Sequence, residues 1–321
     1  LVSKVPSDRF AAINFRTISL EIMENRDGRL MSPFLDWSFK HLFGTEESKP
    51  NLIGLLNLIL MPKSEIVEVT YLNNEALPVS QELKGCVFDI ICQDKNGERY
   101  LIEMQNQEAQ NVKERIIYYT CRMIDRMGFR GSKWNYNDIK KAYTICMMNF
   151  TYESNPVLRR DIQLHDSRTG ELFSDSFNII LLQLPCIKAV NISECSMFYE
   201  HLLYLLQEMH KNMKTIDELK QEVKATDLPE NTKELFYKVL DTAEVASLSE
   251  QDRIRYESDW KNYLDTMSCI ERAEEKGMEK GIEIGEEKAI LTVAKSMKAK
   301  GLDNETISQC TNLPIEEIEK L

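Results

Sequence analysis

Two apolar segments joined by a loop that specifies its own turn constrain this chain more than any other feature. Cys86–Gln93 and Glu98–Gln105 read as strands, and Lys95-Asn96-Gly97 between Asp94 and Glu98 reads as a three-residue hairpin loop. Such a loop is a type I turn followed by a left-handed residue, the position Gly97 fills. With Asp94 facing Glu98, counting outward pairs Gln93 with Arg99, Cys92 with Tyr100, Ile91 with Leu101, Ile90 with Ile102 and Asp89 with Glu103. Cβ atoms of directly opposed residues lie ~4.5–5.5 Å apart, so both carboxylates are expected on one face in one small volume. Gln105, two residues beyond Glu103, shares that face.

Val87, Phe88, Ile90 and Ile91 surround Asp89, and Leu101, Ile102 and Met104 surround Glu103. Runs like these are buried on both faces, where a charge needs a reason. Opposed like charges repel unless a cation sits between them, and a hard divalent ion is the simplest one. A buried structural network is the other reading, and the pattern by itself leaves both open.

At 321 residues the chain can hold one sizeable domain with accessory elements. No run is apolar and long enough to cross a bilayer, so no membrane partner is expected. The first residues lack the basic flank, apolar core and cleavage site of a signal peptide, and do not begin with Met. Residues 1–30 are therefore expected to be an extension outside the fold, partly foreign to the natural chain, with Met23 or Met31 as alternative starts. Eight cysteines without a C-x-x-C pair suit buried thiols in a reducing cytoplasm. Neither they nor the four histidines have zinc-ligand spacing. A net charge of -12 excludes wholesale wrapping by nucleic acid, so any phosphate-binding surface must be local.

Before the hairpin, the pattern predicts a helix from Ser32 to about Phe43, a second capped by Ser48 with Pro50 and stopped before Pro62, and a strand over Glu65–Leu72. After it comes a helix over Glu108–Met127 whose apolar face is Ala109, Val112, Ile116, Thr120, Met123, Ile124 and Met127. Arg115, Tyr119, Arg122 and Arg126 form a second stripe at i, i+4, i+7 and i+11. It is either a solvated flank with Glu114 and Asp125 as partners or, because the helix leaves from the strand carrying Glu103, a cationic wall beside the acids. Lys133, Lys140 and Lys141 add to this basic region. Strands follow over Lys141–Phe150, Arg159–Leu164 and Leu172–Leu184, the last two joined by a turn at Ser167–Gly170 and closed by Pro185. His165 and Asp166 belong to that turn's surface. Helices are expected over Phe198–Met209, Thr215–Val223, Asn231–Ala246 and Ser249–Thr266.

The tail places Gly277, Gly281 and Gly285 at four-residue spacing among Glu and Lys. Each interior helix Gly costs ~1 kcal/mol against Ala, so the stripe is either a close helix–helix contact or a charged linker. Ala289–Lys300, Asn304–Cys310 and Ile315–Leu321 make three short helices resembling a helix-turn-helix. Glu305, Glu316, Glu317 and Glu319 give it the wrong charge for DNA, so a dimerisation or docking module is expected.

The order helix, strand, Asp-bearing strand, hairpin, Glu-x-Gln strand, helix, strand resembles the αβββαβ core of the PD-(D/E)XK nuclease superfamily. Ser32–Gly44 (SPFLDWSFKHLFG), Val87–Ile90, Ile102–Gln105, Arg115 through Tyr119 and the EKG-rich tail are similar to the Rpn group, recombination-promoting nucleases also known as PD-(D/E)XK family transposases. That resemblance implies an α/β fold of restriction-endonuclease type, a mixed sheet flanked by helices, over residues 31–212. A helical extension over 213–268 and a terminal module over 269–321 would follow. It implies a cytoplasmic, bacterial, Mg²⁺-dependent DNA endonuclease, with Mn²⁺ as a substitute, linked to recombination, mobile elements or genome defence and dimerising through its C-terminal helices. Asp89 and Glu103 would be the metal ligands with the Met104 backbone carbonyl as a third. Gln105 stands where the superfamily has Lys, and would position the attacking water. Asp36, or Glu46 after it, would be the acid on the first helix. Lys40, Arg115, Tyr119, Arg122 and Arg126 would hold phosphates. The alternative is a catalytically weak or inactive nuclease-fold protein serving as a nucleic-acid-binding or protein-interaction module.

Overall fold

A computed structural model describes residues 28–73, 75–76, 86–87, 89–107, 111–127, 135 and 139–321. The expected extension as far as residue 27, and Phe88, Ala109 and Lys133, lie outside them. The described chain divides into two compact units, one ending at Asp259 and the other beginning at Trp260.

In the first unit a six-stranded mixed sheet runs in the spatial order β1 (Val69–Tyr71), β4 (Ile90–Asp94), β5 (Arg99–Gln105), β6 (Ala142–Met148), β8 (Leu172–Gln183), β7 (Arg159–His165). β2 (Glu75–Ala76) and β3 (Cys86–Val87) form a separate two-stranded ladder. β5, β6 and β8 are parallel neighbours, and the outer pairings are antiparallel. Helices α1 (Asp36–Phe43) and α2 (Lys49–Leu60) precede the sheet, α3 (Val112–Asp125) makes the crossover from β5 to β6, and α4 (Phe198–Lys211), α5 (Ile216–Lys224) and α6 (Glu230–Thr242) follow it. The expected αβββαβ order is present.

The apolar stripe of α3 decides which face of the sheet it covers. Val112 and Ile116 pack on Cys146, Met148, Ile179 and Leu181, while Met123 and Met127 pack on Ile91, Leu101 and Ala142. Where the two layers meet at a polar position they share a hydrogen bond, Thr120 Oγ1 to Thr144 Oγ1 at 2.7 Å. Strand side chains alternate, so Glu103 and Gln105 share this face with Leu101 and lie under the start of α3.

Several expectations need correction. The strand expected over Glu65–Leu72 is only Val69–Tyr71, because the side chain of Asn57 occupies the backbone of Ile66, accepting from its N–H (2.9 Å) and donating to its carbonyl (2.8 Å). Ser48 makes no cap on α2; its hydroxyl is hydrogen-bonded to Thr45 Oγ1 at 2.9 Å. Residues 28–30, expected outside the fold, are inside it: Leu30 is fully buried and bridges Glu244. Met31 N–H donates to Ala243 O (2.8 Å), and Arg29 O and Gly28 O accept from Val245 and Ile216 N–H. The buried-thiol reading holds for Cys92 and Cys146 but fails for Cys121, Cys269 and Cys310, which stand on exposed helix surfaces.

Gly54 of α2 supports a close helix contact, since a Cβ there would overlap the Leu235 side chain of α6. Gly54→Ala gains ~1 kcal/mol of helix propensity, yet overpacking costs typically ~1–3 kcal/mol. A net loss of about 1 kcal/mol is expected in urea denaturation.

The helix and tail expected as separate pieces are one helix, α7 (Glu250–Ala299), whose residues up to Asp259 belong to the first unit. No proline interrupts residues 230–313, and Arg272–Glu275, Lys276–Glu279 and Lys280–Glu283 stand at the helix-favouring i, i+3 spacing. The three glycines of the stripe are therefore helical, with no atom within 4 Å of an added Cβ. α7 stops at Gly301, whose φ of +83° only glycine adopts freely. Helices α8 (Asn304–Thr311) and α9 (Ile315–Glu319) fold back so that Ile307 and Ile318 pack on Ala294.

Candidate active site

The turn forms for local reasons. Gly97 takes φ +83°, and Asp94 Oδ1 accepts from Asn96 N–H and Glu98 N–H at 2.9 Å each, closing the loop. From it the pairing runs as counted, Gln93 with Arg99 out to Ile90 with Ile102. One step further the ladder stops. Asp89 lies in a bend and not in a strand, because the two acids there take over the backbone amides: Asp89 N–H donates to Glu103 Oε1 (3.2 Å) and Met104 N–H donates to Asp89 Oδ2 (2.9 Å). The carboxylates thus face each other across the hairpin end as the register predicts, held by exchanged amides.

Burial dominates their electrostatics. Glu103 is 4% exposed, and burial, then the charge of Asp89, push its carboxyl up to about 8. Asp89 is raised for the same first reason and by Asp36, against the Met104 amide and the charges of Lys40 and Arg115, which lower it. Two acids so placed resist ionising together until a cation joins them. Beneath them Cys146, opposite Glu103 in the β5–β6 register, is fully buried, and its thiol is raised by that burial and by Glu103.

Gln105 links the pair to a cation. Its Nε2 donates to Glu103 Oε2 (3.3 Å), and its Oε1 accepts from Arg115 Nη2 on the first turn of α3. The Arg115 guanidinium also lies 5.9 Å from the Tyr119 ring centroid, within cation–π range. The rest of the stripe diverges. Arg122 pairs with Asp125 (2.9 Å), and Arg126 donates to Asn73 O (3.1 Å), roughly 16 Å along the axis from Arg115 at 1.5 Å per residue. On α1, Asp36 and Lys40 form an ion pair at 2.6 Å close enough to Asp89 to shift it, whereas Glu46 pairs with Lys49.

A cleft of about 560 Å³ opens beside Asp89, lined among others by Trp37, Lys40, His41, Thr45 and Asp252. Trp37 and His41 are readable from sequence as neighbours of Lys40 on one helix face. Asp252 is not, since nothing local ties it to α1. His210 is a second unforeseen neighbour: largely buried and pushed down to about 4 by that burial, it joins Ser32 Oγ (2.8 Å) to Asn149. The N–H of Asn149 holds Gln105 O at 2.9 Å, so this network fixes the end of β5.

Among the described residues no helix is long and apolar enough to cross a membrane, and no three His, Cys, Asp or Glu converge as a metal cluster. The chain matches no curated protein and no solved structure. Residues 33–273, which span the sheet, the acid pair and the helices around them, match a family model described as PD-(D/E)XK nuclease family transposase. On that match and the αβββαβ core it covers, the chain belongs to the PD-(D/E)XK nuclease family transposases.

Proposed function

We propose that this protein is a metal-dependent DNA endonuclease of the recombination-promoting type, hydrolysing phosphodiesters at Asp89 and Glu103. The observation that carries the proposal is the pair itself, two buried carboxylates held face to face by exchanged backbone amides and tied through Gln105 to Arg115. The donor set fits Mg²⁺, or Mn²⁺ in its place: Mg²⁺ is bound through one or two carboxylates together with waters and substrate phosphate, so a third protein acid is not required. Asp89 and Glu103 would hold it with the Met104 carbonyl, which leaves the strand on the same edge as the N–H directed at Asp89. When bound, it supplies a water of lowered pKa and a Lewis acid for the scissile phosphate.

The chain's own groups do the rest. Gln105 commits one N–H to Glu103 and keeps a second to orient the attacking water. Arg115 places a guanidinium one hydrogen bond from the acid pair, supplying the positive charge that Lys carries elsewhere in the superfamily. Lys40 offsets phosphate charge from the α1 side, assisted by Asp36 as its anchor. Tyr119 steadies Arg115, and Arg122 and Arg126 serve flanking phosphates further along α3, contributing affinity without sequence information. The exposed thiols of Cys121, Cys269 and Cys310 suit a reducing cytoplasm.

Supercoiled plasmid incubated with and without Mg²⁺ tests this reading. Nicking that requires the ion and disappears in Asp89→Ala is expected; tight binding without nicking would instead identify an inactive nuclease-fold module.

The glycine stripe of α7, flanked by exposed Met278, Ile282 and Ile284, supports association with a second copy. Light scattering is expected to show a dimer that becomes monomeric on removing residues after 268 and on Gly281→Leu. An unchanged mass in both would refute dimerisation by this helix.

A further inference from the structure

The cleft beside Asp89 is more than an approach to the acid pair. Trp37 and His41, one turn apart on α1, stack with ring centroids 4.9 Å apart and planes at 22°, forming a two-ring aromatic wall. Gly44, just past the end of α1, also lines the cleft, and a Cβ there would come within 2.8 Å of Lys40 O. Lys40 supplies the cation, and Thr45, Glu47 and Asp252 line the cleft with acceptors. Burial lowers His41 below its ordinary range against the opposing pull of Asp252 and Glu47, which favours a neutral ring suited to stacking. Asp252 Oδ2 accepts from Ser249 Oγ at 2.7 Å, a capping contact that fixes where its carboxylate points.

A volume of about 560 Å³ suits a single nucleotide and is too small for a base-paired duplex. Aromatic faces accept any base, at a worth of ~1–3 kcal/mol per stacked base in nucleic-acid complexes. The acceptors discriminate. Guanine presents two adjacent donors, N1–H and the N2 amino group, to a carboxylate; adenine and cytosine present one amino group beside a ring nitrogen that a carboxylate repels, and thymine one N–H between two carbonyls.

We propose that this cleft binds one unpaired guanine of single-stranded or flapped DNA, stacked on the Trp37–His41 pair and read by Asp252 and Glu47. Its phosphate then lies at Lys40 and Asp89. What happens to that phosphate rests on the nuclease reading, whereas the binding does not.

The test is equilibrium binding of the full chain, in Ca²⁺ to suppress cleavage, to fluorescent oligothymidines carrying one central guanine, inosine or adenine, and to a blunt duplex. Guanine should bind about tenfold more tightly than inosine, which lacks only the N2 amino group. Trp37→Ala should cost about tenfold on the guanine strand and nothing on the duplex, with Trp37→Phe retaining most of the affinity. Asp252→Asn should erase the guanine–inosine difference. The inosine comparison needs no variant, so it decides even if Trp37→Ala fails to fold. Equal binding of guanine and inosine, or full affinity in folded Trp37→Ala, overturns the proposal. Nicking that needs Asp89 but ignores guanine leaves the nuclease and removes the base site; guanine discrimination without any nicking does the reverse.

Discussion

Glu103→Gln, and Asp89→Asn beside it, are expected to lower Mg²⁺-dependent nicking by at least about a thousandfold while making the metal-free protein more stable at pH 8.5. The first half follows from removing a ligand charge on which the chemistry depends. The second follows from burial. The folded Glu103 carboxyl titrates at about 8 against an ordinary 4.5, so between those values the folded state holds a proton that the unfolded chain has released. Stability from this group is full below pH 4.5 and is lost as pH rises through about 8. Glutamine cannot ionise and escapes that penalty, which for a buried carboxylate amounts to a few kcal/mol. It gives up the acceptor for Gln105 Nε2 at 3.3 Å, a hydrogen bond to a charged group worth about 1.5–3 kcal/mol, less than the penalty removed. Urea denaturation in EDTA at pH 5.5 and 8.5 reads the difference. Wild-type protein that is no weaker at the higher pH, or a Glu103→Gln variant that still nicks, would contradict the description of the pair.

Restoring the superfamily lysine is expected to harm this enzyme. In Gln105→Lys an ammonium would replace the amide oxygen that accepts from Arg115, setting two cations against each other in a half-buried site. Nicking should fall about a hundredfold, the usual scale for losing one positioned transition-state donor. Arg115→Gln alone should cause a similar loss by removing the charge. Combined, Gln105→Lys and Arg115→Gln move the cation to residue 105 and relieve the clash, so the double variant should exceed both single ones. Such non-additivity is the signature of direct coupling. Additive losses would show that Arg115 does not stand in for the lysine.

The hairpin, its register and the α3 crossover were legible because each is local: a glycine in a left-handed position, a count outward from it, and apolar residues at helical spacing. The bend at Asp89 was not, since a strand pattern cannot reveal that two side chains capture the amides of the ladder. The arginine stripe was legible only as one flank of a helix. Periodicity put four residues on one flank, but whether each reaches the acids depends on where the helix axis passes, and Arg115 alone of them bonds Gln105 among the described contacts. Asp252 and His210 came to the site from distant helices, a placement that only tertiary packing determines.

The short strap at residues 28–32 bears on how the first unit is made. Arg29 and Met31 hydrogen-bond to Val245 and Ala243, and Ser32 N–H donates to Tyr256 Oη at 3.2 Å across 224 residues of sequence. This segment, made more than 200 residues before Ala243, Val245 and Tyr256, therefore waits for most of the described first unit before its partners exist. Contacts this distant in sequence slow folding and leave Leu30 without its pocket meanwhile. Folding of this unit should finish at the strap, its two ends closing together after the sheet has formed.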